Sequence, residues 1–191
     1  MNVVMVHGFL DTGRLFGALG RKLEAAGHRC HAPTLHPRDA KLGIPDLSAK
    51  LADYVVNHAE RGVPTAFVGF SMGAIVARHY LQETGGAYSA RAFFSIAGPH
   101  SGAFTAYLYP GLGARQMRPG SSFLATLDDG VAALSRMTVV TYRTPFDFMV
   151  QPARSTRIAG AKEVVVWCPF HALMPSDPTV IGHIDGELAR M

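Results

Sequence analysis

Ala66-Phe67-Val68-Gly69-Phe70-Ser71-Met72-Gly73-Ala74 decides how the rest of the chain is read. A short apolar run enters this segment and a helical pattern over residues 74–82 leaves it, so Ser71 sits where a strand turns into a helix. A reversal that tight forces the serine into a strained backbone conformation. It also requires very small neighbours on both sides, which Gly69 and Gly73 supply. The hydroxyl then stands clear of the sheet at a helix N-terminus, where backbone N–H groups face any negative charge that develops beside it. With 20 glycines in the chain, Gly-x-Ser-x-Gly alone carries little weight; its setting between strand and helix carries more.

Outward from that turn, strands and helices alternate. Short apolar runs predict strands at residues 3–6, 28–32, 65–68, 92–97, 138–142 and 163–167. Helical spacing is read at residues 13–26, with Leu15, Phe16, Leu19 and Leu23 on one face, and at 46–61, with Leu47, Leu51, Tyr54 and Val55. Further helices are read at 121–127, 152–158 and 178–189, while 98–120 is irregular and rich in Gly, Pro and aromatic residues. Asp11, or Thr12 in its place, is the expected cap of the helix at 13–26. The pattern predicts an α/β fold: a minimal, mostly parallel sheet of about six strands with helices on both faces, in a single domain over residues 1–191.

Right-handed crossovers bring the C-terminal ends of such strands to one edge, where ligand chemistry belongs. Ser71, Asp147 and His171 each follow a predicted strand and so meet that edge. A serine hydroxyl is a poor nucleophile until a base takes its proton. Histidine does this near neutral pH, and a buried carboxylate fixes its tautomer. His183 lies inside a helical pattern and is expected to be exposed, and His79 on the helix after the turn should point away from the edge. Asp128 and Asp129 are the alternative acids, but they precede the relevant strand; Asp147 can in addition cap Phe148-Met149-Val150. Two backbone donors are needed for an oxyanion. The amide of Met72 is one, and that of Phe9, in His7-Gly8-Phe9-Leu10, is the other, with His7 bracing the loop.

Composition narrows the classes. At 191 residues, 48% hydrophobic and 17% charged, the chain has enough apolar side chains for a two-sided sheet, and no apolar run approaches a membrane span. The net charge of +4 is scattered rather than clustered, which argues against nucleic-acid binding. Cys30 and Cys168 fit no metal or redox spacing and are expected to be buried free thiols. No metal, flavin or nucleotide motif is present, so no cofactor is expected. Met1-Asn2 leads directly into a core strand, which favours cytoplasmic residence, or secretion if a leader has been removed.

Val4-Met5-Val6-His7-Gly8-Phe9, the Gly-Phe-Ser-Met-Gly turn, and Asp147-Phe148-Met149-Val150 followed by His171 together resemble the lipase branch of the α/β-hydrolases. The likeness is closest to the small, lidless bacterial lipases and runs from Val3 to about Leu173. Ala97-Gly98-Pro99-His100-Ser101-Gly102 is similar to a Thr-Pro-His-x-Gly element of larger lipases. Phe70 stands where many lipases carry histidine, and Phe104, Tyr107, Leu108 and Tyr109 have no counterpart in the smallest members. The resemblance implies Ser71 as nucleophile, Asp147 as triad acid, His171 as general base, and Phe9 and Met72 as oxyanion donors. It implies hydrolysis of a small carboxyl ester with a hydrophobic acyl group. Thioesterases, acyltransferases and amidases share this triad, and an inactive hydrolase fold used for binding is the alternative from another class.

Overall fold

The computed structural model describes residues 1–191. Six strands form one sheet: Asn2–Val6 (β1), Arg29–His31 (β2), Thr65–Phe70 (β3), Ala90–Ile96 (β4), Thr138–Arg143 (β5) and Lys162–Val165 (β6). Their order is β2-β1-β3-β4-β5-β6, and every neighbouring pair is parallel. The helices are Gly17–Ala25 (α1), Ile44–His58 (α2), Met72–Glu83 (α3), Leu112–Gln116 (α4), Ser122–Asp129 (α5) and Pro178–Leu188 (α6).

The period-2 geometry of a strand explains the layering. On β1, Val4 and Val6 face one way and pack with Leu47 and Leu51 of α2, Ile75 and Val76 of α3, and Leu124 and Leu127 of α5. Val3 and Met5 face the other way, onto Leu19 and Leu23 of α1 and Val180, Ile184 and Leu188 of α6. Phe67 and Phe93 serve the first layer and Phe94 the second, all fully buried. Each such ring contributes about 1.5–3 kcal/mol relative to exposure. Covered on both faces, the central strands tolerate almost no charge, hence the low charged fraction.

The chain first steps from β1 to β2, then returns to the other side of β1 for β3 and advances steadily to β6. The direction of winding therefore reverses between β1 and β3. Crevices at the C-terminal ends of parallel strands open at such reversals, and here the loops leading to Phe9 and Ser71 flank it.

Several expectations are corrected. Residues 152–158 form only a 3₁₀ turn, Ala153–Thr156. The helix expected from residue 13 opens with a 3₁₀ turn, Gly13–Phe16, and is not capped by a side chain. Thr12 holds the cap position, but the Gly13 N–H is taken from afar by Thr34 Oγ1 at 3.2 Å. His183 is half-buried rather than exposed, its Nδ1 2.9 Å from the Tyr142 hydroxyl. Cys168 is a buried free thiol, whereas Cys30 is free but only half-buried, on edge strand β2. The irregular stretch contains α4 and a 3₁₀ turn, Phe104–Tyr107. No helix is long and apolar enough to cross a membrane.

Candidate active site

Ser71 has φ 52° and ψ −123°, a conformation rarely adopted by an L-residue. Its N–H donates to Ile96 O at 2.8 Å, fixing the turn to β4. The flanking glycines are there for space. A Cβ on Gly69 would lie 2.4 Å from Ala74 Cα, and one on Gly73 would lie 2.1 Å from Val6 O and 2.4 Å from His7 O. A Cβ at either position could enter only if backbone moved, which makes any side chain costly there.

Beyond β5 the chain turns at Thr144, whose hydroxyl donates to Cys168 O at 2.6 Å and ties the loops after β5 and β6 together. That places Asp147 opposite His171. The Asp147 side chain is 2% exposed; Oδ1 accepts the N–H groups of Met149 and Val150, both at 2.8 Å, and Oδ2 accepts His171 Nδ1–H at 2.7 Å. Three donors on one buried carboxylate satisfy it and orient it. With its hydrogen on Nδ1, the imidazole presents Nε2 as the free lone pair. The ring stands against the elbow: its centroid is 4.8 Å from that of Phe70, the residue before Ser71. The structure thus joins Asp147 directly to His171 and brings His171 to the serine turn, but it forms no hydrogen bond between the Ser71 hydroxyl and the imidazole.

Phe9 and Met72 line the same cleft as Ser71, and neither amide donates to another group of the protein. The loop carrying Phe9 is braced by His7. Leu35 N–H donates to His7 Nε2 at 2.9 Å, so the ring hydrogen is on Nδ1 and goes to Gly8 O at 2.8 Å. Burial lowers the His7 pKa and favours this neutral form. A second brace is Arg38, whose Nη1 donates to Leu10 O at 2.9 Å; sequence reasoning missed it because nothing local marks it.

The competing residues lie elsewhere. Asp128 pairs with Arg78 at 2.9 Å, and His79 Nδ1 meets Ser48 Oγ at 2.9 Å between α2 and α3. A cleft opens at Ser71, lined by Phe9, Tyr109, Ala114, Met117, Met149 and Val150 among others, with the Phe9 and Tyr109 rings in contact at 4.8 Å. No Asp, Glu, Lys, Arg or His lines it.

Residues 3–189 match the model of the alpha/beta hydrolase family. The chain belongs to that family. Similar solved structures include Aspergillus fumigatus lipase B, at TM-score 0.82 and 17% identity over 98% of this chain and 52% of that one. This chain therefore spans about half the length of that lipase. Bacillus licheniformis lipase BlEst2 in mature form aligns at TM-score 0.76 and 15% identity, over 98% of this chain and 91% of its own. A pyrethroid hydrolase from Sphingobium faniae JZ-2 aligns at TM-score 0.64 and 16% identity, over 100% and 96%. At these identities the likeness is one of fold. No match was found among curated protein sequences.

Proposed function

We propose that the chain is a single-domain serine carboxyl-ester hydrolase working through Ser71, His171 and Asp147. Its strongest support is the 2.7 Å bond from His171 Nδ1 to a carboxylate already held by two backbone amides, at the rim that carries the strained Ser71.

In the proposed reaction the ester carbonyl lies beside Ser71, and the acyl group occupies the uncharged cleft. Ser71 Oγ attacks the carbonyl carbon as its proton passes to His171 Nε2, and Asp147 stabilises the imidazolium. The oxyanion is met by the N–H groups of Phe9 and Met72, which have no competing acceptor to give up. Collapse breaks the bond to the alcohol oxygen, which takes the proton from His171. Water, deprotonated by His171, then attacks the acyl-enzyme; the acid departs and Ser71 recovers its proton. Contact between Ser71 and His171 forms as substrate docks, since catalytic hydrogen bonds tighten in the Michaelis complex.

Wild-type protein should turn over p-nitrophenyl butyrate and label covalently with a fluorophosphonate, and Ser71→Ala should do neither while keeping its circular dichroism spectrum. Undiminished turnover by the alanine variant would eliminate the mechanism. Thioester and anilide analogues assayed in parallel separate ester hydrolysis from the other reactions open to this triad.

A further inference from the structure

Two buried groups next to the serine turn have unfinished hydrogen bonding. Arg78, fully buried on α3, donates from Nε to Gln82 Oε1 at 2.7 Å and from Nη2 to Leu127 O at 2.8 Å and Asp128 Oδ1 at 2.9 Å. Its Nη1 has no acceptor. His100, also fully buried, has Nε2 2.7 Å from Ser95 Oγ and no partner for Nδ1.

The imidazole lies against the first turn of α3, because a Cβ on Gly98 would fall 2.6 Å from Ala74 Cβ and 2.7 Å from His100 Nε2. Arg78 is one helical turn beyond Ala74, on the same face. Ser95 pairs in register with Gly69, so the cluster abuts the elbow. Burial first, and the Arg78 charge second, hold the His100 pKa well below its usual value, so the ring is neutral with one N–H. Were that hydrogen on Nδ1, a buried donor would lie without an acceptor in the field of a cation. On Nε2 it is donated to Ser95 Oγ, and the Nδ1 lone pair is left for a donor.

We propose that Arg78 and His100 are positioning residues, with Arg78 Nη1–H linked to His100 Nδ1 through one buried water that accepts from the guanidinium and donates to the imidazole. The link ties the nucleophile helix to the loop after β4, whose Pro99 and Ala103 line the cleft. That loop is in turn fastened to the segment following Asp147: Ser101 N–H donates to Ser155 O at 3.0 Å, Phe104 N–H to Gln151 O at 3.2 Å, and the Ser155 hydroxyl to Gly102 O. Nucleophile and acid are therefore set in mutual register through the buried pair. Its catalytic consequence rests on the Ser71 mechanism proposed above.

The test has two arms. At neutral pH, ¹⁵N NMR of the wild-type protein should show His100 as the Nε2–H tautomer, with an Nδ1 resonance that shifts in Arg78→Met. An Nδ1–H tautomer, or no response to Arg78→Met, overturns the proposal whatever the activity. In the kinetic arm, His100→Asn keeps an acceptor near Nδ1 and His100→Leu does not. At a temperature where both are folded, the leucine variant should lose about ten-fold or more in kcat on p-nitrophenyl butyrate at nearly constant KM, with most recovered by asparagine. Equal kcat in the leucine variant and wild type also overturns it. If wild type neither labels with fluorophosphonate nor turns over ester, the hydrolase mechanism fails, and the NMR arm still decides whether the link exists.

Discussion

Leu10 and Arg38 hold each other by two hydrogen bonds: Leu10 N–H donates to Arg38 O at 2.9 Å, and Arg38 Nη1 donates to Leu10 O at 2.9 Å. Leu10 follows Phe9 and has φ 61°, a left-handed conformation unfavourable for a branched side chain. The pair thus opposes relaxation of a residue whose neighbour is the proposed oxyanion donor. Arg38→Ala should lower kcat about 2- to 10-fold, the worth of roughly one hydrogen bond, with KM nearly unchanged. Leu10→Gly, at ease with positive φ, should restore much of that loss in the double variant. Steady-state kinetics on the four proteins of this cycle measure it, and no recovery would dissociate Leu10 strain from Arg38.

Two glycines make opposite predictions from the same reasoning. Gly73→Ala forces a Cβ to 2.1 Å from Val6 O, so backbone must move, and a loss of about 3 kcal/mol or more is expected. Gly182 lies inside α6 with nothing near its ideal Cβ, so Gly182→Ala should stabilise by about 0.5–1 kcal/mol through helix propensity. Urea denaturation of the two variants reads both signs.

Where the sequence spoke clearly, the physics was local. Alternation along β1 and β3 requires a sheet covered on both faces, and the steric demand at Gly69 and Gly73 is intrinsic to the turn. Asp147 and His171 were legible because each follows a strand, and parallel strands share one C-terminal edge. Illegible features depend on partners remote in sequence. Thr12 looks like a cap, yet its side chain accepts no helix amide, and the first helical N–H, that of Gly13, goes to Thr34 instead. His183 looks solvated on its helix, yet Tyr142 meets it from the sheet. Arg38 and Arg78 look like ordinary surface charges, but Arg38 grips a backbone turn and Arg78 is buried whole. No periodicity encodes such pairings.

Acid should destabilise the fold before carboxylates titrate. Burial lowers the pKa of His7, His79 and His183 from the usual 6.5, and that of His100 most strongly. Below pH 6.5 the unfolded chain binds protons that these folded rings refuse, so stability is full above that pH and falls as pH drops toward the folded values. Glu163 and Glu187, lowered from 4.5 chiefly by hydrogen bonds from Arg157 and Lys162, add a loss of the same sign only below about pH 4.5. Urea midpoints should therefore decline between pH 6.5 and 4.5. His100→Leu should flatten that slope; an unchanged slope would show that His100 does not contribute.

Asp147→Asn separates holding a histidine from orienting it. The asparagine oxygen still accepts from Met149 and Val150, each 2.8 Å from Oδ1, so the loop should keep its shape. The amide nitrogen then faces His171 Nδ1 in place of an acceptor 2.7 Å away. Two donors cannot share that bond, so the imidazole must move its hydrogen to Nε2, the atom that receives the Ser71 proton in the proposed mechanism. Loss of the carboxylate also removes the charge that steadies the imidazolium. Turnover should fall by a factor on the order of 10³–10⁴ near neutral pH, as for a triad in the wrong tautomer, while thermal stability changes little. Activity should recover partly at high pH, where hydroxide replaces the missing base in deacylation. Measured kcat profiles of the two proteins test this, and a loss below ten-fold would mean that Asp147 only shapes its loop.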